Sequence, residues 1–238
     1  IFSGKGVIMT EVVVRNKKLL TQLDEFVDIF FSIDGYNDKK YWVRDPHDAT
    51  TNGELYCSDE YFYKQKALGS KHSGFPEQHF SQPVSRMAEQ DPEKWRGIRD
   101  LVRMRFAETL GVHSAALFNY YPTGGHVGWH TNWNAPAYQI LFTWSRTGDG
   151  YFRYHDPIKD EIITVQDTKG WACRHYYFGA ESEPEHHCWH AAYAGCDRIT
   201  LAYKFLAGED GQTSGKGTKK DELAQDLRDD LIAEIEEE

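Results

Sequence analysis

The tripeptide His130-Thr131-Asn132 is where the sequence first offers chemistry. In an extended segment residues i and i+2 point to the same side, so an imidazole and an amide oxygen face one point in space. A third donor, His190, falls sixty residues later in another short apolar run. An open-ended β-barrel brings its second and seventh strands together across its mouth, which unites these three. Two imidazoles and one oxygen donor on one face form a facial triad with three positions left open. That arrangement suits non-heme iron(II), with room for a bidentate co-substrate and for O2. Eight residues after His190, Arg198 opens a strand in which Arg198, Thr200, Ala202 and Lys204 alternate with Ile199, Leu201, Tyr203 and Phe205. The apolar set is expected to face a helix layer and the other set the barrel interior. A buried Arg must be paired, and its fork matches a carboxylate. Arg198 with Thr200 therefore reads as a carboxylate clamp beside the metal site.

The elements that must position these residues are legible from periodicity. Leu19, Leu20, Leu23, Phe26, Val27, Phe30 and Phe31 share one face of a helix over 17–31. Residues 33–82 read as aromatic and loop-like. A second helix starts at Asp91-Pro92, where Asp suits the cap and Pro the first turn. It turns Trp95, Ile98, Val102 and Phe106 inward and stops at Gly111. From His113 onward the pattern changes to eight short strands separated by turns, at 114–121, 125–130, 138–144, 150–154, 161–165, 171–178, 188–193 and 198–206. The expected architecture is mainly β with helices packed on one face, a jelly roll. It divides into a supporting N-terminal region (1–112), the barrel (113–207), and a Gly/Ser/Thr-rich linker with an acidic C-terminal helix (208–238). In that last helix Leu223, Leu227, Leu231 and Ile235 recur every four residues, as in a helix docked on the body of the protein.

Taken in order, Asn119-Tyr120-Tyr121-Pro122-x-Gly124, His130-x-Asn132, His190 and Arg198-x-Thr200 resemble the iron(II)/2-oxoglutarate-dependent oxygenase superfamily. Asn119-x-Tyr121 ahead of the ligand pair is similar to the AlkB-type demethylases. The run Thr147-Gly148-Asp149-Gly150-Tyr151-Phe152 after it is similar to the prolyl-hydroxylase branch. The resemblance covers residues 113–206. It implies a double-stranded β-helix (cupin-like) fold, with Fe(2+) held by His130, Asn132 and His190. It also implies that Arg198 binds the distal carboxylate of 2-oxoglutarate, helped by Thr200, Tyr121 and Asn119. The implied reaction is hydroxylation of a C–H bond with release of succinate and CO2. One position departs from the pattern: the family's usual acid is Asp, and here it is Asn132. A neutral amide oxygen withdraws one negative charge from the metal. Three outcomes follow: a weaker ligand in a working oxygenase, an altered position of the kind halogenases use for halide, or a noncatalytic cupin-like binding protein.

Composition narrows the partners. The formal charge is −10, from 27 basic and 37 acidic residues, and residues 219–238 hold nine acids against three bases. A body so mildly acidic argues against nonspecific nucleic-acid binding, which requires neutralising phosphates. A peptide side chain, an amino acid or another small metabolite is the expected substrate. No run of eighteen apolar residues crosses a membrane, and no leader is visible. Cys57, Cys173, Cys188 and Cys196 form no C-x-x-C pair, so a reduced, cytoplasmic setting is expected. Cys173, His175, His186, His187 and Cys188 are a rival zinc set, but their spacing fits no common zinc motif. His126 reads as a turn residue or a pocket-lining one, His155-Asp156 as a turn, Arg146 as an exposed strand end or a contact for an anionic substrate, and Trp129, Trp133, Tyr138 and Trp144 as core aromatics or substrate-pocket walls.

Overall fold

The structure, a computed structural model, describes residues 9–44, 52–69, 78–110, 115–132, 137–179, 183–205 and 222–237. The chain opens with strand β1 (Thr10–Val12) and helix α1 (Lys17–Ser32). Asn16 caps α1, its side chain accepting from the Leu19 N–H at 3.0 Å. The region read as loop-like contains β2 (Val43–Arg44), α2 (Gly53–Tyr56), α3 (Asp59–Ala67) and β3 (His79–Pro83). Two further helices follow, α4 (Val84–Gln90) and α5 (Pro92–Leu110).

The eight expected strands then appear, with ends moved by a residue or two. They are β4 (Ala115–Tyr121), β5 (His126–His130), β6 (Ala137–Ser145), β7 (Gly150–Asp156), β8 (Glu161–Gln166), β9 (Gly170–Phe178), β10 (His190–Ala194) and β11 (Arg198–Phe205). Helix α6 (Glu222–Glu236) ends the described chain. No helix among the described residues is long and apolar enough to cross a membrane.

All the strands join one curled antiparallel sheet in the order β1-β9-β6-β11-β4-β3-β5-β10-β7-β8, with β2 on β3. β3 forms the corner. Its first residues, His79 and Phe80, pair with β5; its last, Gln82 and Pro83, pair with β4. The protein is thus mainly β, with two facing halves of one sheet, consistent with a β-sandwich or jelly roll.

The alternation read in β11 sorts the core. Ile199, Leu201 and Tyr203 join Ile140, Phe142 and Cys173 on the outer face of one half. There they meet Leu19, Leu23, Phe26 and Phe30 of α1, Trp95 and Val102 of α5, and Leu231 and Ile235 of α6. The partner set faces inward: Leu141, Phe152, Tyr176, Phe178, Ala192 and Ala202 form a second core between the halves. Burying each large apolar side chain contributes ~1.5–3 kcal/mol, so the helix layer is a major support of the sheet. The Phe106, Lys204, Phe205, Leu223 and Leu227 side chains lie outside the described residues.

The expectation of helices on one face is corrected. Helices α2 and α3 cover the outer face of the other half, where Cys57 and Phe62 pack on Trp129, Trp189 and Ala191. Trp129 and Trp189 point away from the sandwich interior, and two indoles left in water would forfeit too much apolar burial. The Trp129 indole N–H finds the Ser58 carbonyl at 2.9 Å, at the cap that starts α3.

Candidate functional site

His130 ends β5 and His190 begins β10, and the two are direct partners across the ladder. Side chains opposed in an antiparallel pair share a face, and the two imidazole centroids lie 4.1 Å apart. The ladder is irregular beside them. Between His190 and Ala192 the register slips, so that β5 advances three residues while β10 advances two. This bulge lets Val127 and His130 both line the interior while Trp129 turns outward.

Each ring is tethered in the same way. His130 Nδ1 lies 2.9 Å from the Gly128 carbonyl, and His190 Nδ1 lies 3.1 Å from the Cys188 carbonyl. A carbonyl can only accept, so both Nδ1 atoms carry the proton and donate. The lone pair of each ring is then on Nε2, the tautomer a metal ligand needs. Phe178 and Phe152 flank His190, with centroids at 4.5 and 5.9 Å. Asn132, half-buried just past β5, lines the same cavity as both histidines.

That cavity, about 220 Å³, lies between the two halves of the sheet. Its polar lining includes Asn119, Tyr121, Gln139, Arg198 and Thr200; Leu141, Phe152, Tyr176 and Phe178 supply apolar wall. The seven residues singled out from the sequence (Asn119, Tyr121, His130, Asn132, His190, Arg198 and Thr200) therefore border one space. β4, β11 and β6 run side by side, with Arg198 level with Tyr121 and Thr200 level with Asn119, which sets these four beside one another. Asn119 donates from Nδ2 to the Tyr121 hydroxyl at 3.3 Å. Among the described residues its buried Oδ1 has no hydrogen-bond partner. Burial raises the Tyr121 pKa against the opposing pull of Arg198 and Asn119, so its hydroxyl keeps its proton.

Two polar residues escaped sequence reading, one lining the cavity and one behind its wall. Gln139 lies on the inward face of β6 and gave no signal beyond its place in the alternation. Asp167 follows β8 in what reads as an ordinary turn, yet it is the ionic partner of Arg198. Arg198 Nε donates to Asp167 Oδ2 at 2.8 Å and Nη2 to Oδ1 at 3.5 Å; Nη1 donates to Thr200 Oγ1 at 2.8 Å. The guanidinium also lies 5.6 Å from the Tyr121 ring. Burial alone would lower the Arg198 pKa, but the Asp167 charge and hydrogen bonds outweigh it, and the net shift is upward. The only clue in the sequence was general: a buried Arg needs a carboxylate.

The other readings sort out as follows. Trp129 and Trp144 pack on the two outer faces and Tyr138 is buried against Tyr177, so none of them borders the cavity; Trp133 lies outside the described residues. Cys173 belongs to the helix-facing core and Cys188 to the interior one, so the rival zinc set is split between two layers. Among the described residues no three or more His, Cys, Asp or Glu are gathered to hold a metal; a three-donor set with His130 and His190 would need the Asn132 amide. His126 is a buried strand residue, not a turn residue. Asp156 does make the expected turn, accepting from the Ile158 and Lys159 N–H groups at 2.9 and 3.3 Å. His155 beside it is buried against Phe62. Arg146 is an exposed strand end, paired with Asp197 at 2.8 Å.

No protein-family model matches the chain, and no curated protein matches it. Among solved structures it is similar to a prolyl-4-hydroxylase from Pseudomonas putida, with 14% sequence identity and a TM-score of 0.29 over 77% of this chain and 97% of that one. A fit that loose specifies neither a shared fold nor a shared reaction.

Proposed function

We propose that the chain is a double-stranded β-helix oxygenase dependent on iron(II) and 2-oxoglutarate, which hydroxylates a C–H bond of a peptide side chain, an amino acid or a small metabolite. The observation that carries this reading is the pairing of His130 with His190 across one ladder, both rings fixed as Nδ1–H tautomers, in a cavity that also holds a buried Arg. The donor set fits a divalent metal: His130, His190 and Asn132 line one cavity, and they offer two imidazole nitrogens and an amide oxygen. Imidazole suits iron(II), and the neutral amide predicts weaker binding than a carboxylate would give. Iron(II) bound there would supply the oxidative decarboxylation of 2-oxoglutarate by O2 to succinate and CO2, coupled to hydroxylation of the substrate.

The chain's own residues do the rest. Arg198 and Thr200 hold the distal carboxylate of the co-substrate, with the Tyr121 hydroxyl, protonated through burial, as a further donor. Asn119 Oδ1 accepts from whatever donor the bound molecules present. Leu141, Phe152, Tyr176 and Phe178 keep water from the cavity and leave room for a small ligand.

The test is oxygen uptake and succinate release on addition of iron(II) and 2-oxoglutarate. His190→Ala should abolish both while leaving the circular dichroism spectrum unchanged. A second reading, a noncatalytic binding protein, is favoured by the neutral Asn132. It predicts that 2-oxoglutarate binds with Mn(II) in calorimetry while no iron concentration yields succinate. Chloride incorporated into a product would instead point to a halogenase.

A further inference from the structure

We propose that Asp167 is a positioning residue that fixes the aim of Arg198 and cancels its charge, so that the cavity takes up a dicarboxylate only together with a divalent cation. This rests on the co-substrate role given to Arg198 above. A guanidinium has five N–H donors in a rigid fork. Asp167 takes the edge formed by Nε and Nη2, and Thr200 takes one hydrogen of Nη1. Among the described residues these leave one N–H on Nη1 and one on Nη2 for a ligand carboxylate to meet.

The pair is built in. Its side chains are 3% and 1% exposed. The Asp167 N–H donates to the Gly150 carbonyl at 2.9 Å. A Cβ placed on Gly150 would come within 2.7 Å of Asp167 Oδ2, so the β7 backbone closes over the carboxylate.

The consequence is electrostatic. Among the described residues that line the cavity Arg198 is the only Arg, Lys, Asp or Glu, and Asp167 behind it supplies the opposite charge. Asn132 adds none, where a carboxylate would have faced the metal. An anion entering this cavity alone loses its hydration without a net positive field in return. A divalent cation on His130, His190 and Asn132 supplies the missing two charges. The ion pair thus makes uptake of the co-substrate conditional on the metal, and Asn132 can be neutral because the balancing carboxylate sits behind the Arg.

The experiment is calorimetric titration of 2-oxoglutarate into oxygen-free protein, once with Mn(II) and once with EDTA. Wild type should bind with Mn(II) and at least about tenfold more weakly with EDTA. Asp167→Asn keeps an acceptor for Nε but removes the charge; its affinity in EDTA should rise about tenfold, narrowing the gap. Asp167→Glu should restore the gap. A carboxylate that merely fills the core would lower the unfolding midpoint and leave the ratio of the two affinities untouched. Equal wild-type affinities with and without metal, or an unchanged ratio in Asp167→Asn, overturn the inference and leave the co-substrate reading standing. No wild-type binding with Mn(II) overturns that reading and this inference with it. Chelation by the metal gives a wild-type gap by itself, so the ratio in the variant decides, and Asp167→Ser, which also removes the charge, gives the same reading if Asp167→Asn does not fold.

Discussion

At the scale of single residues, the chemistry turns on one oxygen. Asn132 borders the cavity with both histidines but brings no charge to a cation. Asn132→Asp should therefore tighten divalent-metal binding by about tenfold or more, ~1.4 kcal/mol or greater, read from a Mn(II) titration followed by electron paramagnetic resonance. Unchanged affinity would mean that the side chain at 132 does not reach the ion. The convergence of these side chains on one cavity was legible because strand alternation and separation dictate what can meet: His130 with His190, Arg198 with Thr200. Asp167 was not legible. It sits outside the alternating runs, and a buried ion pair is defined by a fold contact, not by spacing. The tethers on Nδ1 were hidden for a similar reason, since they depend on backbone carbonyls that carry no sequence signature.

At the scale of elements, α1 shows how far periodicity reaches. Of the seven positions its spacing marked, Leu19, Leu23, Phe26, Val27 and Phe30 are buried, and Leu20 and Phe31 at the edge of the stripe are half-buried. Phe30 packs on Trp95, Phe118 and Tyr120 with centroids at 5.7, 6.2 and 5.2 Å. Phe30→Ala should cost ~3–5 kcal/mol in urea unfolding, and a loss below about 1 kcal/mol would contradict this packing. The short elements α2, α3, α4, β2 and β3 went unread. Helix α3 is nearly non-amphipathic: only Phe62 and Gln65 are buried along it. β3 is a corner strand, buried at four of its five positions without alternation. Helix α3 also creates a pH response. Its Phe62 stacks on His155 at 4.8 Å. Burial lowers the His155 pKa below the usual His value, with the Asp160 hydrogen bond opposing; Lys66 lowers it further and Asp156 raises it. Because the folded form resists protonation more than the unfolded one, the stability from neutral His155 is complete above about pH 6.5 and is lost as the pH falls below that value. Thermal unfolding of metal-free protein should thus shift to lower temperature between pH 7.5 and 5.5, and His155→Gln should flatten the slope. His175, whose pKa is also lowered chiefly by burial, adds to the same trend, so a residual slope in the variant is expected; an unaltered slope would count against His155.

At the scale of the whole molecule, the two ends of the described chain close on each other. The N–H groups of Arg15 and Asn16 both donate to the Ile235 carbonyl, at 2.9 and 3.1 Å, and Asn16 Nδ2 donates to the Glu234 carbonyl at 3.1 Å. The same Asn16 side chain caps α1, so one residue links the start of the helix layer to the end of α6. Ile235 is fully buried and Leu231 nearly so, in the core that contains α1, α5 and the outer face of β6 and β11. An acidic terminal helix with a four-residue apolar stripe is legible as a docking element, but the surface it docks on is not, because that surface is assembled from elements as scattered along the chain as β1, α5, β6 and β11. If α6 belongs to this core, Ile235→Ala should lower stability by ~2–5 kcal/mol. The variant should still unfold in one transition, with far-ultraviolet dichroism and tryptophan fluorescence superimposed. Loss of helical signal ahead of the fluorescence change would instead make α6 a separately melting appendage, and the sheet would then owe its stability to α1 and α5 without it.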